Sequence, residues 1–206
     1  MKQIIGIFFL AMIALQASAK DPEVLFKTSE GEFTVRLFAD QSPVTVENFL
    51  AYVDSGFYDG TIFHRVIPRF MIQTGGFNPG MKEKRNNPPI INEAKNRLHN
   101  ERGTLAMART NDPNSATSQF FINVRTNLNL DWTPRNPGYA VFGEVIDGMY
   151  VVDSIAIAPT QNFMGHGDVP ITPIIIESAR RIGEEPAPAA ETEATAEAEA
   201  ETEETE

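Results

Sequence analysis

The sequence predicts a mainly β protein of antiparallel strands, closed as a barrel or folded as a sandwich. Three observations carry this. Short runs of strand-like residues recur along the body of the chain, only two segments read as helices, and strands and helices do not alternate regularly as a parallel sheet would require.

The first strands come from EVLFKTSEGEFTVRLF. Val24 and Phe26, then Phe33, Val35 and Leu37, alternate on either side of Ser29-Glu30-Gly31, the pattern of a β-hairpin. A helix follows, with Ser42 as N-cap and Pro43 at the first helical position. Val46, Phe49, Leu50 and Val53 then fall at i, i+3, i+4 and i+7 before Gly56 ends the pattern. After GFYDG, FHRVIPRFMIQTGG reads as one strand, followed by a glycine- and proline-rich loop from Gly75 to Pro89. Short strands are expected around GTLAMAR, SQFFINV and YAVFGEVI, a second short helix beginning at Asp147, and a last strand in ITPIIIESARRI.

Both ends lie outside this domain. Lys2, the apolar run Ile4 to Leu15 and the small-x-small triplet Ala17-Ser18-Ala19 predict a signal peptide, residues 1–19, cleaved after Ala19. The run is too short for a transmembrane helix, which needs roughly 20 apolar residues, so no stable membrane insertion is expected after cleavage. Residues 184–206 contain ten glutamates and no basic residue, and predict a disordered acidic tail rich in Glu, Ala and Thr. These ten account for nearly all of the net charge of −11. The remaining domain, residues 20–183, is nearly neutral and lacks the basic face that nucleic-acid binding requires. The chain has no cysteine, which excludes disulfides, thiol catalysis and cysteine-based metal sites.

Strand parity locates a candidate site. In SQFFINV, Phe120, Ile122 and Val124 share one face, and Gln119, Phe121 and Asn123 the other. The first set is core. The second places an amide beside an exposed aromatic ring, as a groove floor would, although a half-buried sandwich strand has the same pattern. In FHRVIPRFMIQTGG, an unbroken strand puts Arg65, Met71 and Gln73 on one face, and a bulge at Pro68 would bring Phe70 to it. A guanidinium and an amide among apolar residues suggest the wall of a site.

Familiar catalytic signatures are absent: no G-x-S-x-G, H-E-x-x-H, Walker loop or G-x-G-x-x-G occurs, and His64, His99 and His166 lack ligand spacing. His64 reads as a structural histidine rather than a base, and Asp112 and Asp131 as turn residues rather than acids.

FHRVIPRFMIQTGG, GTLAMARTNDPNSATSQFFINV and YAVFGEVIDGMYVVD, in this order, resemble the cyclophilin-type peptidyl-prolyl cis-trans isomerases in their bacterial exported form. The resemblance runs from about Val24 to Ile182. It implies a closed eight-stranded antiparallel β-barrel capped by two α-helices. It also implies isomerisation of X-Pro bonds in unfolded or flexible exported polypeptides, without a cofactor or metal, by an exported monomer, periplasmic with secretion as the alternative. Carried onto this sequence, the family's catalytic arginine falls on Arg65, with Gln73 as its brace. The substrate pocket falls on Phe70, Met71, Ala108, Arg109, Gln119, Phe121, Leu130 and Tyr139.

The chain departs from the family pattern at several places. Arg109 stands where relatives often have asparagine, and Tyr139 where eukaryotic members have histidine. Asn129 replaces a tryptophan that cyclosporin uses, which implies weak binding of that ligand; Trp132 lies three residues away. Arg69 and Thr74 replace glycines. The competing class is a proline-peptide-binding chaperone module with little catalysis, and the joint presence of Arg65 and Gln73 favours the enzyme.

Overall fold

The alternating runs near the start of the domain pair as β1 (Glu23–Thr28) and β2 (Gly31–Leu37), with Thr28 opposite Gly31 and Ser29-Glu30 as the turn. The structure is a computed structural model and describes residues 21–183. The expected signal peptide and acidic tail fall outside the described residues.

Helix α1 (Pro43–Asp54) buries the expected stripe of Val46, Phe49, Leu50 and Val53. Its N-terminus is capped differently from expectation. The Ser42 hydroxyl donates to the Val141 carbonyl at 2.8 Å and does not cap the helix. The Glu93 carboxylate instead accepts from the Val44 and Thr45 amides at 3.2 and 2.8 Å, and from the Thr45 hydroxyl at 2.7 Å. An anion facing these free N–H groups suits the positive end of the helix dipole.

The single strand expected after GFYDG is two: β3 (Arg65–Ile67) and β4 (Met71–Thr74) form a tight hairpin. Pro68 starts a turn rather than a bulge. Arg69 adopts φ +62 within it, and the Phe70 amide donates to the Ile67 carbonyl at 3.1 Å. Thr74, in contrast, lies in ordinary strand backbone and donates its hydroxyl to the Ile62 carbonyl at 2.9 Å.

Strands β5 (Thr104–Met107), β6 (Phe120–Asn123) and β7 (Val141–Asp147) occupy the expected segments, and α2 (Met149–Ala156) starts just after Gly148. A hairpin of β8 (Thr160–Phe163) and β9 (His166–Pro170) was not foreshadowed, because its residues are mostly polar and exposed and show no hydrophobic alternation. Strand β10 (Ile176–Arg181) completes the domain.

The main sheet has eight antiparallel strands in the order β10-β1-β2-β7-β5-β6-β4-β3. It curls into a half-barrel, with no continuous ladder between its edge strands. Where the edges approach, Ile62 and Ile175 form an isolated bridge, and the Phe63 amide donates to the Ile174 carbonyl at 3.0 Å. Phe26, Phe33, Phe49, Tyr58, Phe120 and Phe142 fill the interior, with Phe26 and Phe33 stacked 4.9 Å apart. The two helices contribute Phe49, Val53, Val152 and Ile155 to this core.

Candidate active site

Strand registry builds the site on the opposite face of the sheet from this core. Arg65 is paired with Gln73, Gln73 with Phe121, Phe121 with Ala106, and Ala106 with Val141. Directly opposed residues share a face, so this row lies across five strands. The alternate residues Val66, Ile72, Ile122 and Leu105 point into the core. Arg65, Met71 and Gln73 therefore do share a face, through the hairpin rather than along one strand.

A second apolar cluster lies on this face. Met71, Ala106, Phe121 and Val141 are its buried members, and Phe38, Ile67, Phe70, Leu98, Ala108, Leu130 and Tyr139 pack against them. Six of the ten expected site residues come together here: Phe70, Met71, Ala108, Phe121, Leu130 and Tyr139. Ala106 and Val141, with no chemical signature, were visible only through registry. Phe121 is 5 % exposed rather than an open ring; Tyr139 meets it edge-on at 5.6 Å. The Arg109 guanidinium lies 4.4 Å from the Tyr139 ring centre and donates to the Gly138 and Thr110 carbonyls at 3.0 and 2.8 Å. The peptide N–H and C=O of Arg109 make no hydrogen bond among the described residues.

The polar end holds Arg65, Gln73, Gln119 and His64. The side chain of Arg65 is 43 % exposed, its Nε 3.9 Å from Asp168 Oδ2. No guanidinium nitrogen of Arg65 is hydrogen-bonded within the described residues. Gln73, expected to brace Arg65, donates instead to Gln119 Oε1 at 3.0 Å, although it remains the cross-strand neighbour of the arginine. Gly76 makes room for this pair: a β-carbon there would fall 2.6 Å from the Gln119 side chain. His64 is 4 % exposed and buried as a structural histidine would be; its Nδ1 has no hydrogen-bond partner among the described residues, while the Ile62 backbone and the Gln119 side chain interact with the imidazole. Burial lowers its pKa to about 4 against the opposing effect of hydrogen bonding to the Ile62 backbone and the Gln119 side chain, and the charges of His166 and Arg65 add to the lowering. It is neutral at neutral pH.

Three buried asparagines behind the pocket escaped sequence reasoning. Asn127 donates to the Phe70 carbonyl at 2.9 Å and to Asn123 Oδ1 at 2.8 Å. Asn123 donates to Asn100 Oδ1 at 3.2 Å and to Thr104 Oγ1 at 3.0 Å. The Leu130 amide donates to the Asn127 carbonyl, and the Tyr139 amide to the Leu130 carbonyl, each at 2.9 Å. The loops carrying Phe70, Leu130 and Tyr139 thus hang from one network. Its only advance sign was Asn123 on the pocket face of SQFFINV.

Asp131 belongs to the same scaffold. Burial by itself would raise its pKa, but hydrogen bonds from the Asn100 amides and from His99 hold it below the ordinary carboxylate value. Asp112 accepts from the Asn114 amide at 2.9 Å, as a turn residue does. Trp132 is not a member of the pocket cluster; Lys95 Nζ lies 5.8 Å from its ring centre.

Residues 23–181 match the family described as cyclophilin type peptidyl-prolyl cis-trans isomerase/CLD. The chain belongs to the cyclophilin family. A peptidyl-prolyl cis-trans isomerase of Streptomyces antibioticus is 56 % identical over 163 residues, covering 78 % of this chain and 98 % of the relative. Peptidyl-prolyl cis-trans isomerase A of Dickeya dadantii is 53 % identical over 166 residues, covering 81 % of this cyclophilin and 87 % of the relative. A crystal structure of a cyclophilin-type isomerase from Cryptosporidium parvum superposes with a TM-score of 0.66 at 30 % identity, covering 80 % of this chain and 99 % of that one. The same Cryptosporidium protein was also crystallised in the presence of the dipeptide Ala-Pro.

Proposed function

We propose that this cyclophilin-type peptidyl-prolyl isomerase accelerates rotation about X-Pro bonds in flexible polypeptides by a hydrogen bond from Arg65 to the prolyl nitrogen. The single observation that carries the mechanism is the guanidinium at the rim of an apolar pocket, with no hydrogen bond to the rest of the described protein. Rotation faces a barrier of about 18–20 kcal/mol because the C–N bond has partial double-bond character. No covalent bond breaks. As the amide twists, its nitrogen becomes pyramidal and regains a lone pair able to accept a hydrogen bond. Guanidinium suits this acceptor, being permanently charged and rigid with donors only.

Phe70, Met71, Phe121 and Leu130 would take the prolyl ring. The twisted amide is less charge-separated than the planar one, so a dry apolar pocket favours it. The free peptide groups of Arg109 offer a donor and an acceptor to the substrate backbone. Each tenfold acceleration needs about 1.4 kcal/mol of preferential transition-state binding. A charge-assisted hydrogen bond together with desolvation is of that order several times over.

The N-terminal features, Lys2, Ile4 to Leu15 and Ala17-Ser18-Ala19, support action in the periplasm on exported proteins. Fractionation of the full chain, with mass spectrometry of the mature N-terminus, tests this; retention of residues 1–19 in the cytoplasm would refute it.

The mechanism is tested by exchange NMR on an X-Pro tetrapeptide. Arg65→Ala and Arg65→Lys are expected to lose roughly 100-fold or more in rate, and the wild-type rate to stay flat between about pH 6 and 8, where arginine does not titrate. A full rate in Arg65→Ala would overturn it. Peptide binding without accelerated exchange in the wild-type protein would identify a proline-peptide-binding chaperone module instead.

A further inference from the structure

The hairpin β8–β9 lies outside the main sheet, yet it is fixed beside Arg65. Val169 is buried in a small cluster with Ile62 and Met81. His166 meets the Phe77 ring edge-on at 5.3 Å, and Phe77 in turn lies 4.7 Å from His64, the residue preceding Arg65. Between these two anchors, Asp168 has φ +59. That left-handed backbone is costly for a residue with a β-carbon, though asparagine and aspartate tolerate it best. Its carboxylate approaches the arginine at Nε, 3.9 Å from Oδ2, while the terminal amino groups of the guanidinium make no hydrogen bond among the described residues.

From this geometry we infer that Asp168 is a positioning residue for the Arg65 guanidinium. Gln73 is engaged with Gln119. Asp168 is the sole acidic partner of Arg65 among the described residues. A carboxylate drawing on the Nε edge restricts rotation of the guanidinium plane and leaves the terminal amino groups for the substrate. It acts through Arg65 rather than on the peptide, so it supports turnover more than binding. The inference rests on Arg65 being the donor in the proposed reaction.

The test uses the full chain with Asp168→Asn, which removes the charge and tolerates the same backbone, and Asp168→Gly as a second variant free of backbone strain. Both are expected to lower kcat roughly two- to fivefold, the scale of an exposed ion pair, with KM and folded fraction unchanged. The Arg65 ¹⁵Nε signal should shift and lose order. Arg65→Ala/Asp168→Asn should be no slower than Arg65→Ala alone. Wild-type kcat and an unaltered Nε signal in both variants would overturn the inference. So would a further loss of rate in the double variant, or a rate loss matched by loss of folded protein. A full rate in Arg65→Ala overturns the reading of Arg65 itself, whereas a slow Arg65→Ala beside fully active Asp168 variants overturns only the role of Asp168.

Discussion

Gln73 on β4 and Gln119, immediately before β6, join side chains through a 3.0 Å hydrogen bond one strand away from Arg65. The bond ties the strand facing the arginine to the strand that carries Phe121. Gln119→Leu removes the acceptor and leaves the Gln73 amide without its partner. A loss of roughly 1 kcal/mol in transition-state stabilisation, about fivefold in kcat/KM, is expected. Gly76→Ala should have the same effect by displacing Gln119. Steady-state rates on an X-Pro tetrapeptide check both, and unchanged rates would show that the pair has no part in turnover.

The buried, neutral His64 makes stability depend on pH. Its folded pKa, about 4, lies below the ordinary histidine value of 6.5, so between these values the unfolded chain binds more protons. The associated stability is fully present above pH 6.5, falls as pH drops from 6.5 to 4, and changes no further below that. The whole shift corresponds to about 3 kcal/mol. Urea unfolding of wild type and His64→Gln between pH 4 and 7.5 should show the wild type losing more stability across this window. Parallel curves would contradict it.

Arg69 is exposed and holds a left-handed backbone in the β3–β4 turn. For a residue with a β-carbon this conformation costs about 1–2 kcal/mol, part of which glycine returns through its more flexible unfolded chain. Arg69→Gly is therefore expected to stabilise the protein by about 0.5–1 kcal/mol. A lower thermal midpoint in the variant would show that the arginine side chain contributes more than its backbone costs.

Glu93 caps α1 from 49 positions along the chain beyond Val44. Replacing it with alanine leaves the Val44 and Thr45 amides without a partner and removes a charge from the positive end of the helix. The expected cost is about 1–2 kcal/mol, with little effect on kcat because the Glu93 carboxylate is engaged with Val44 and Thr45 rather than with Arg65 or the apolar cluster. Denaturant unfolding together with activity measures both, and an unchanged midpoint would refute the cap.

What the sequence revealed depended on distance along the chain. The helix stripe from Val46 to Val53 and the two faces of SQFFINV follow from local periodicity, and both are present. The hairpin at Pro68 was masked because its turn lies among apolar residues that read as continuous strand. Glu93, the asparagines behind Phe70 and the exposed β8–β9 pair owe their places to partners remote in sequence or to polar backbone pairing, neither of which leaves a periodic trace. The family motifs named six members of the apolar cluster but not Ala106 or Val141, and not the partners of the polar end: Gln73 faces Gln119, and the guanidinium faces Asp168.

Keeping the pocket cluster on one side of the sheet and the phenylalanine-rich interior on the other has an evolutionary consequence. Because neighbouring residues on each strand face different surroundings, Met71, Phe121 or Val141 can vary without disturbing the packing of Ile72, Ile122 or Phe142. Ligand preference can drift across descendants of such a chain while the scaffold stays intact, and the strands serve as a partition between two separately selected surfaces.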